Sequence, residues 1–241
     1  MKPVAIFRYA PTEGPGHFAT FLEAHGIRWR LIAIDEGEPV PPSATAFSGL
    51  AFMGGPMSVN DDLPWIEPGL ALIRDALAHD TPMIGHCLGG QLMSRALGGV
   101  VSRNPVKEIG WGEVGVESSR AARDWLGDVA SFVAFHWHGE TFTIPPGATR
   151  LAGSRWCDNQ MFVLGPHLGM QCHVEMTEPM IRVWTLGGWQ EIRDNPVPSV
   201  QSVETIQREI DTHLSGLRSV AERLYLRWSR ELRQEAQAGA R

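Results

Sequence analysis

The chain has 241 residues, 43% of them hydrophobic and 20% charged, a balance that suits a globular protein with one large core. A formal charge of -6 offers no basic footprint for nucleic acid or an anionic membrane surface, and no uncharged apolar run reaches the ~20 residues that span a bilayer. Three cysteines do not make a disulfide framework, and Arg8 breaks the first apolar run too early for a secretion signal, so a reducing, cytoplasmic setting is expected.

The β-branched and aromatic run at 4–7 predicts a first, central strand. After the Gly14-Pro15-Gly16 loop, residues 17–25 read as a helix with Phe18, Phe21 and Leu22 on one face and Gly26 ending it. Strands are expected at 29–34 and 50–53, separated by the proline-rich connector 39–42. A helix at 65–79 leads to the strand Met83-Ile84. This alternation predicts an open α/β sheet, mostly parallel, with helices on both faces.

From Val100 the pattern changes to short strands at 100–102, 113–117, 131–135, 151–152, 161–164 and 169–172, with a small helix at 121–126. They predict a small antiparallel or mixed extension of the sheet. Residues 199 to about 234 carry Val203, Ile206, Ile210, Leu214, Leu217, Val220 and Leu224 at helical spacing, a tail of two helices broken near Ser215-Gly216. The stripe implies packing on the body, with a homodimer contact as the alternative use. The expected division is 1–190 for the main domain and 191–241 for the helical extension.

The chemistry concentrates at Gly85-His86-Cys87-Leu88-Gly89-Gly90-Gln91, a short strand, two glycines and then a helix. This is the pattern of a nucleophile held on a tight strand-to-helix turn, with Cys in the nucleophile's place. A helix N-terminus favours a thiolate, the form that attacks carbonyl carbon. A base is offered by Gly169-Met170-Gln171-Cys172-His173-Val174-Glu175. On extended backbone His173 and Glu175 leave the same face, roughly 6.6 Å apart along the strand, so the carboxylate can fix the imidazole's tautomer. Gly54-Gly55-Pro56 at a strand's carboxyl end offers backbone N–H groups for an oxyanion, with the N–H of Leu88.

Taken together, these three motifs resemble the class I, triad-type glutamine amidotransferase family, in particular stand-alone members similar to the amidotransferase domain of GMP synthase. The resemblance runs from the first strand to about Thr177 and implies that family's flavodoxin-like sheet. It implies Cys87 as nucleophile, His173 as general base and Glu175 as its orienting carboxylate, with Gly55 and Leu88 as the oxyanion positions. Gly54, Gln91, Trp137 and His138 fall on substrate-binding positions, the last two within Trp137-His138-Gly139-Glu140. The chain departs from the family at His86, where an apolar residue is common, and at Cys172 and Val174, where Phe and Pro are usual.

The implied substrate is glutamine or a γ-glutamyl compound, cleaved through a γ-glutamyl thioester with no cofactor. Either ammonia passes to a separate synthetase subunit, or the protein is a self-contained γ-glutamyl peptide hydrolase. A non-catalytic binding protein of the same fold is the reading from another class. His136 and His138 share one strand face and with Cys172 or His167 could be imagined around a metal, but no metal-ligand spacing supports it, and none is expected. His17, His25, His79 and His213 read as solvated.

Overall fold

In the computed structural model, which describes residues 2–232, strand β1 (Val4–Arg8) divides its side chains between two cores. Val4 and Ile6 enter one apolar cluster, Ala5 and Phe7 the other. That alternation is the period of two of a strand buried on both faces. The other strands are β2 (Trp29–Ala33), β3 (Gly49–Phe52), β4 (Met83–His86), β5 (Val101–Val116), β6 (Ser131–Phe142), β7 (Thr149–Ser154), β8 (Met161–Leu164) and β9 (His167–Met170). They form one nine-stranded sheet in the order β2-β1-β3-β4-β9-β8-β7-β5-β6. The first five in that order pair in parallel, the rest antiparallel.

The helices are α1 (Gly16–Ala24), α2 (Ile66–Ala78), α3 (Leu88–Ala96), α4 (Arg120–Leu126), α5 (Glu178–Gly187), α6 (Trp189–Asp194), α7 (Val203–Arg208) and α8 (Ile210–Ser229). α2 and α3 supply the core on one face, through Leu70, Ile73, Leu92 and Met93. α1, α4 and α8 supply it on the other, through Phe18, Leu22, Leu126, Leu217 and Leu224. Each such buried aliphatic contributes about 1.5–3 kcal/mol of transfer free energy.

The α/β architecture with its mixed sheet is the one the sequence predicts, with three differences. β1 is interior but second from the edge; β9 lies at the centre. The antiparallel part is larger than expected, because 101–116 is one strand rather than two short ones. Pro105, Gly110 and Gly112 read as punctuation, but the chain absorbs them in a bulge between Arg103 and Glu108 and a positive φ of 108° at Gly110. Two helices, α5 and α6, occupy 178–194, where no element is predicted; the side chain of Thr177 caps α5.

The tail is helical, but its break falls at Glu209, between α7 and α8, and α8 runs straight through Ser215-Gly216. Gly216 lies on open surface, where a mid-helix glycine costs only about 1 kcal/mol. The expected extent to Gln234 lies outside the described residues. No helix among those described is long and apolar enough to cross a membrane.

Candidate active site

Cys87 sits between β4 and α3 with φ 49° and ψ -108°, a left-handed conformation that an L side chain rarely adopts. Its N–H donates to the carbonyl of Met170 at 2.8 Å, tying the turn to β9. The glycines around it are there for space. A Cβ on Gly85 would lie 2.6 Å from the backbone of Gly89, and one on Gly89 would lie 2.1 Å from the Phe52 carbonyl oxygen. Such a turn stores on the order of 1–3 kcal/mol of strain and holds the sulfur off the regular helix.

His173 and Glu175 follow β9 in an irregular segment, not a continuous strand. The His173 N–H donates to the Phe135 carbonyl at 2.9 Å, which fixes the segment against β6. The i, i+2 relation still brings the side chains together: His173 Nδ1 lies 2.7 Å from Glu175 Oε1, with both residues buried. Nε2 has no hydrogen-bond partner, and the neighbouring Cys87 acts on the ring's charge. Burial disfavours the imidazolium, but Glu175 and then Cys87 outweigh it, so His173 is held well above the ordinary imidazole value. Burial likewise opposes the Glu175 carboxylate; His173 and then His86 overcome it and hold the group below its ordinary value.

The sulfur and the imidazole open into one cavity of about 930 Å³. Gly55, Gln91, Trp137 and His138 also line it. Gly55 and Leu88 are in contact, since a Cβ on Gly55 would meet Leu88 Cδ2 at 2.6 Å. Neither residue's N–H donates a backbone hydrogen bond among the described residues. Two unspent backbone donors at the side of a cavity are what a developing oxyanion would require.

Gln91 Nε2 donates to Gln171 Oε1 at 3.1 Å, and Gln171 Nε2 reaches Cys87 Sγ at 3.5 Å. Trp137 Nε1 donates to Glu191 at 2.9 Å. The His138 ring lies between Glu108 Oε2, 3.1 Å from Nε2, and the Glu140 carbonyl, 2.9 Å from Nδ1.

Sequence reasoning missed Glu13, Gln171, Trp184 and Tyr225. Glu13 lines the cavity beside Gly54 and His173, and burial pushes its carboxyl up to about 7, against the pull of His173. Its place between the end of β1 and a Gly-Pro-Gly turn was the available signal. Trp184, on α5, meets His173 edge to face and donates Nε1–H to the Thr12 carbonyl at 2.8 Å. His17 is a correction: it is buried, with Nε2 3.6 Å from Glu222.

His136 and His138 group with Glu108, not with Cys172 or His167, their ligand-type atoms within 4.8 Å of one another. Glu108 already receives hydrogen bonds from Ser154 and Gln160, both at 2.8 Å, beside His138.

Comparison with known proteins adds a family. The model of the class-I glutamine amidotransferase domain matches residues 22–179. A glutamine amidotransferase-like protein of Salmonella typhimurium, YfeJ, is 30% identical over 76% of this chain and 79% of its own. Gamma-glutamyl peptidase 3 of Arabidopsis thaliana is 28% identical over 69% of this chain and 71% of its own. Among solved structures, a glutamine amido transferase from Methylobacillus flagellatus superposes with a TM-score of 0.97 at 42% identity, covering 100% of this chain and 99% of that one.

Proposed function

This chain belongs to the class-I glutamine amidotransferase family, and we propose that it hydrolyses the γ-amide of glutamine or of a γ-glutamyl compound through Cys87, His173 and Glu175. The observation that carries this reading is the strained Cys87 opening into the same cavity as an imidazole whose far nitrogen is anchored 2.7 Å from a buried carboxylate.

The Cys87 thiolate attacks the γ-carbonyl carbon, and the carbonyl oxygen becomes an oxyanion held by the N–H groups of Gly55 and Leu88. One such donor is worth about 2.7–4 kcal/mol in this kind of site. His173 gives its Nε2 proton to the leaving nitrogen, the C–N bond breaks, and a γ-glutamyl thioester remains. Water then attacks the thioester as His173 takes its proton, glutamate forms and the thiolate is released. Glu175 keeps the ring oriented and steadies the imidazolium throughout. Gly54 shapes the oxyanion turn, while Gln91, Trp137 and His138 hold the amino-acid end of the substrate. The route uses no cofactor. The three free thiols fit a reducing, cytoplasmic compartment. We take 1–190 as the catalytic unit and 191–241 as an extension, of which α7 and α8 contribute to the core.

The size of the cavity favours a second version of the same chemistry. At about 930 Å³ it has room for a leaving group much larger than ammonia, as in a γ-glutamyl peptide. Glutamate release by the purified chain, measured with glutamine and with a γ-glutamyl dipeptide, tests both. Wild type turns over at least one, and Cys87→Ala, with an unchanged melting temperature, turns over neither; retained turnover in that variant overturns the assignment. Full activity alone on the dipeptide marks a self-contained hydrolase. Weak activity on glutamine that rises with an added synthetase subunit marks an amidotransferase.

A further inference from the structure

His86 departs from its family's usual apolar residue, and the structure gives that departure a place. Strand alternation puts His86 on the same face of β4 as Ile84, toward α1 and α8 and away from α3. There it is fully buried. Its Nε2 lies 3.3 Å from the hydroxyl of Tyr225 and 3.9 Å from Glu175 Oε2. Oε2 is the carboxylate oxygen that His173 leaves free, and it has no hydrogen-bond partner of its own. Tyr225 arrives on α8, one turn before Trp228, on the stripe that packs against Phe18 and Phe21.

Resting on the triad assignment above, we propose that His86 is a positioning residue for Glu175, its Nε2–H pole set against Oε2 and its ring held in place by Tyr225. A carboxylate taken out of water needs its second oxygen compensated as well as its first. A neutral imidazole supplies a dipole there without adding a charge. Burial above all, with the positive charge of His173, holds the ring's proton affinity below the ordinary imidazole value against Glu175 and the Phe52 backbone, which raise it, and so favours the neutral form. Glu175 is faced by His173 and Cys172 on its own segment and by His86, Tyr225 and Glu13 from other elements. Within that set His86 and His173 favour its ionised form. The C-terminal helix thereby reaches the chemistry without touching substrate.

The test compares wild type, His86→Leu, His86→Gln and Tyr225→Phe in the full chain. It follows kcat and KM from pH 5 to 9 with whichever γ-glutamyl substrate wild type hydrolyses, and Cys87 alkylation by iodoacetamide over the same range. Expected for His86→Leu is a kcat lower by about 10- to 100-fold with KM nearly unchanged, and an acidic limb displaced to higher pH. His86→Gln, which keeps an N–H at that reach, restores most of the rate. Tyr225→Phe gives a smaller displacement in the same direction and covers the case in which His86→Leu does not fold. Unmoved acidic limbs in Tyr225→Phe and in every folded His86 variant overturn the proposal, as does a His86→Gln variant no better than His86→Leu. Absence of turnover in wild type would sink the hydrolase reading instead, and the alkylation profiles would then decide the role of His86 alone.

Discussion

Trp184 meets the imidazole of His173 edge to face, ring centroids 4.9 Å apart and planes at 87°. The indole walls off one side of the ring, and its own orientation is fixed by Trp137 and the Thr12 carbonyl. Replacing Trp184 with Ala frees the imidazole and wets its surroundings. The expected result is about a tenfold loss in kcat/KM, equivalent to ~1.4 kcal/mol, with Trp184→Phe keeping most of the rate. Steady-state kinetics on the two variants check this, and an unchanged kcat/KM in Trp184→Ala would show that the wall has no part in orienting the base.

In the proposed mechanism Glu175 and His173 have different parts, so their removal should differ in degree. His173→Ala deletes the proposed proton carrier and is expected to lower kcat nearly as far as Cys87→Ala does. Glu175→Gln keeps the shape but presents an amide to Nδ1, and a loss on the order of 10³-fold is expected. Stability follows the signs of the two shifts. The raised His173 contributes stability that is full below its ordinary value of 6.5 and is lost as pH climbs through the folded value. The lowered Glu175 contributes stability present above its ordinary value of 4.5 and lost as pH falls through the folded one. Glu175→Gln should therefore lower the melting temperature more at pH 7 than at pH 4, and an equal loss at both would contradict the linkage.

Glu13 has the opposite sign. Its carboxyl is raised from 4.5 to about 7 by burial, so the fold prefers it neutral, and that preference becomes a penalty as pH rises from 4.5 to 7. Glu13→Gln is expected to raise stability at pH 8 by on the order of 1–2 kcal/mol and to change it little at pH 4. The same substitution should remove an inflection near pH 7 from the kcat/KM profile, because Glu13 lies beside His173 at the cavity wall. Denaturant titrations at the two pH values, with the pH–rate profile, test both halves. A less stable variant at pH 8 would mean that the carboxylate has a partner in solution.

What could be read from the sequence was what local sterics decide. The crowding of Gly85 and Gly89 around Cys87 is a matter of a few consecutive residues, so the turn was legible in order and spacing. His173 and Glu175 were legible for the same reason, two positions apart on one segment. α5 announces itself through Thr177 and Pro179 at its start, while its apolar Val183 and Leu186 are left 49% and 66% exposed in the fold. β5 hid behind Pro105, which a bulge accommodates, and two glycines that stay in register with β6. Tyr225 meets His86 across 139 positions, and Gln171 meets Gln91 across 80. Contacts of that range depend on how the whole sheet is ordered, which no window of sequence contains.

The final prediction concerns the anchor that carries α8 onto the sheet. Trp228 is fully buried, edge-on to Phe18 with centroids 5.5 Å apart, and its ring lies against Gly49 of β3, where an added Cβ would stand 3.0 Å from Cζ2. Trp228→Ala empties that space beneath the parallel half of the sheet. A loss of about 3–5 kcal/mol is expected, a large part of the ~5–15 kcal/mol that holds a typical domain together. It should appear in urea titration as a lower midpoint with an unchanged slope, because the same surface unfolds from a less stable state. A loss below ~1 kcal/mol, or a separate early transition, would show that α8 folds apart from the sheet and does not complete its core.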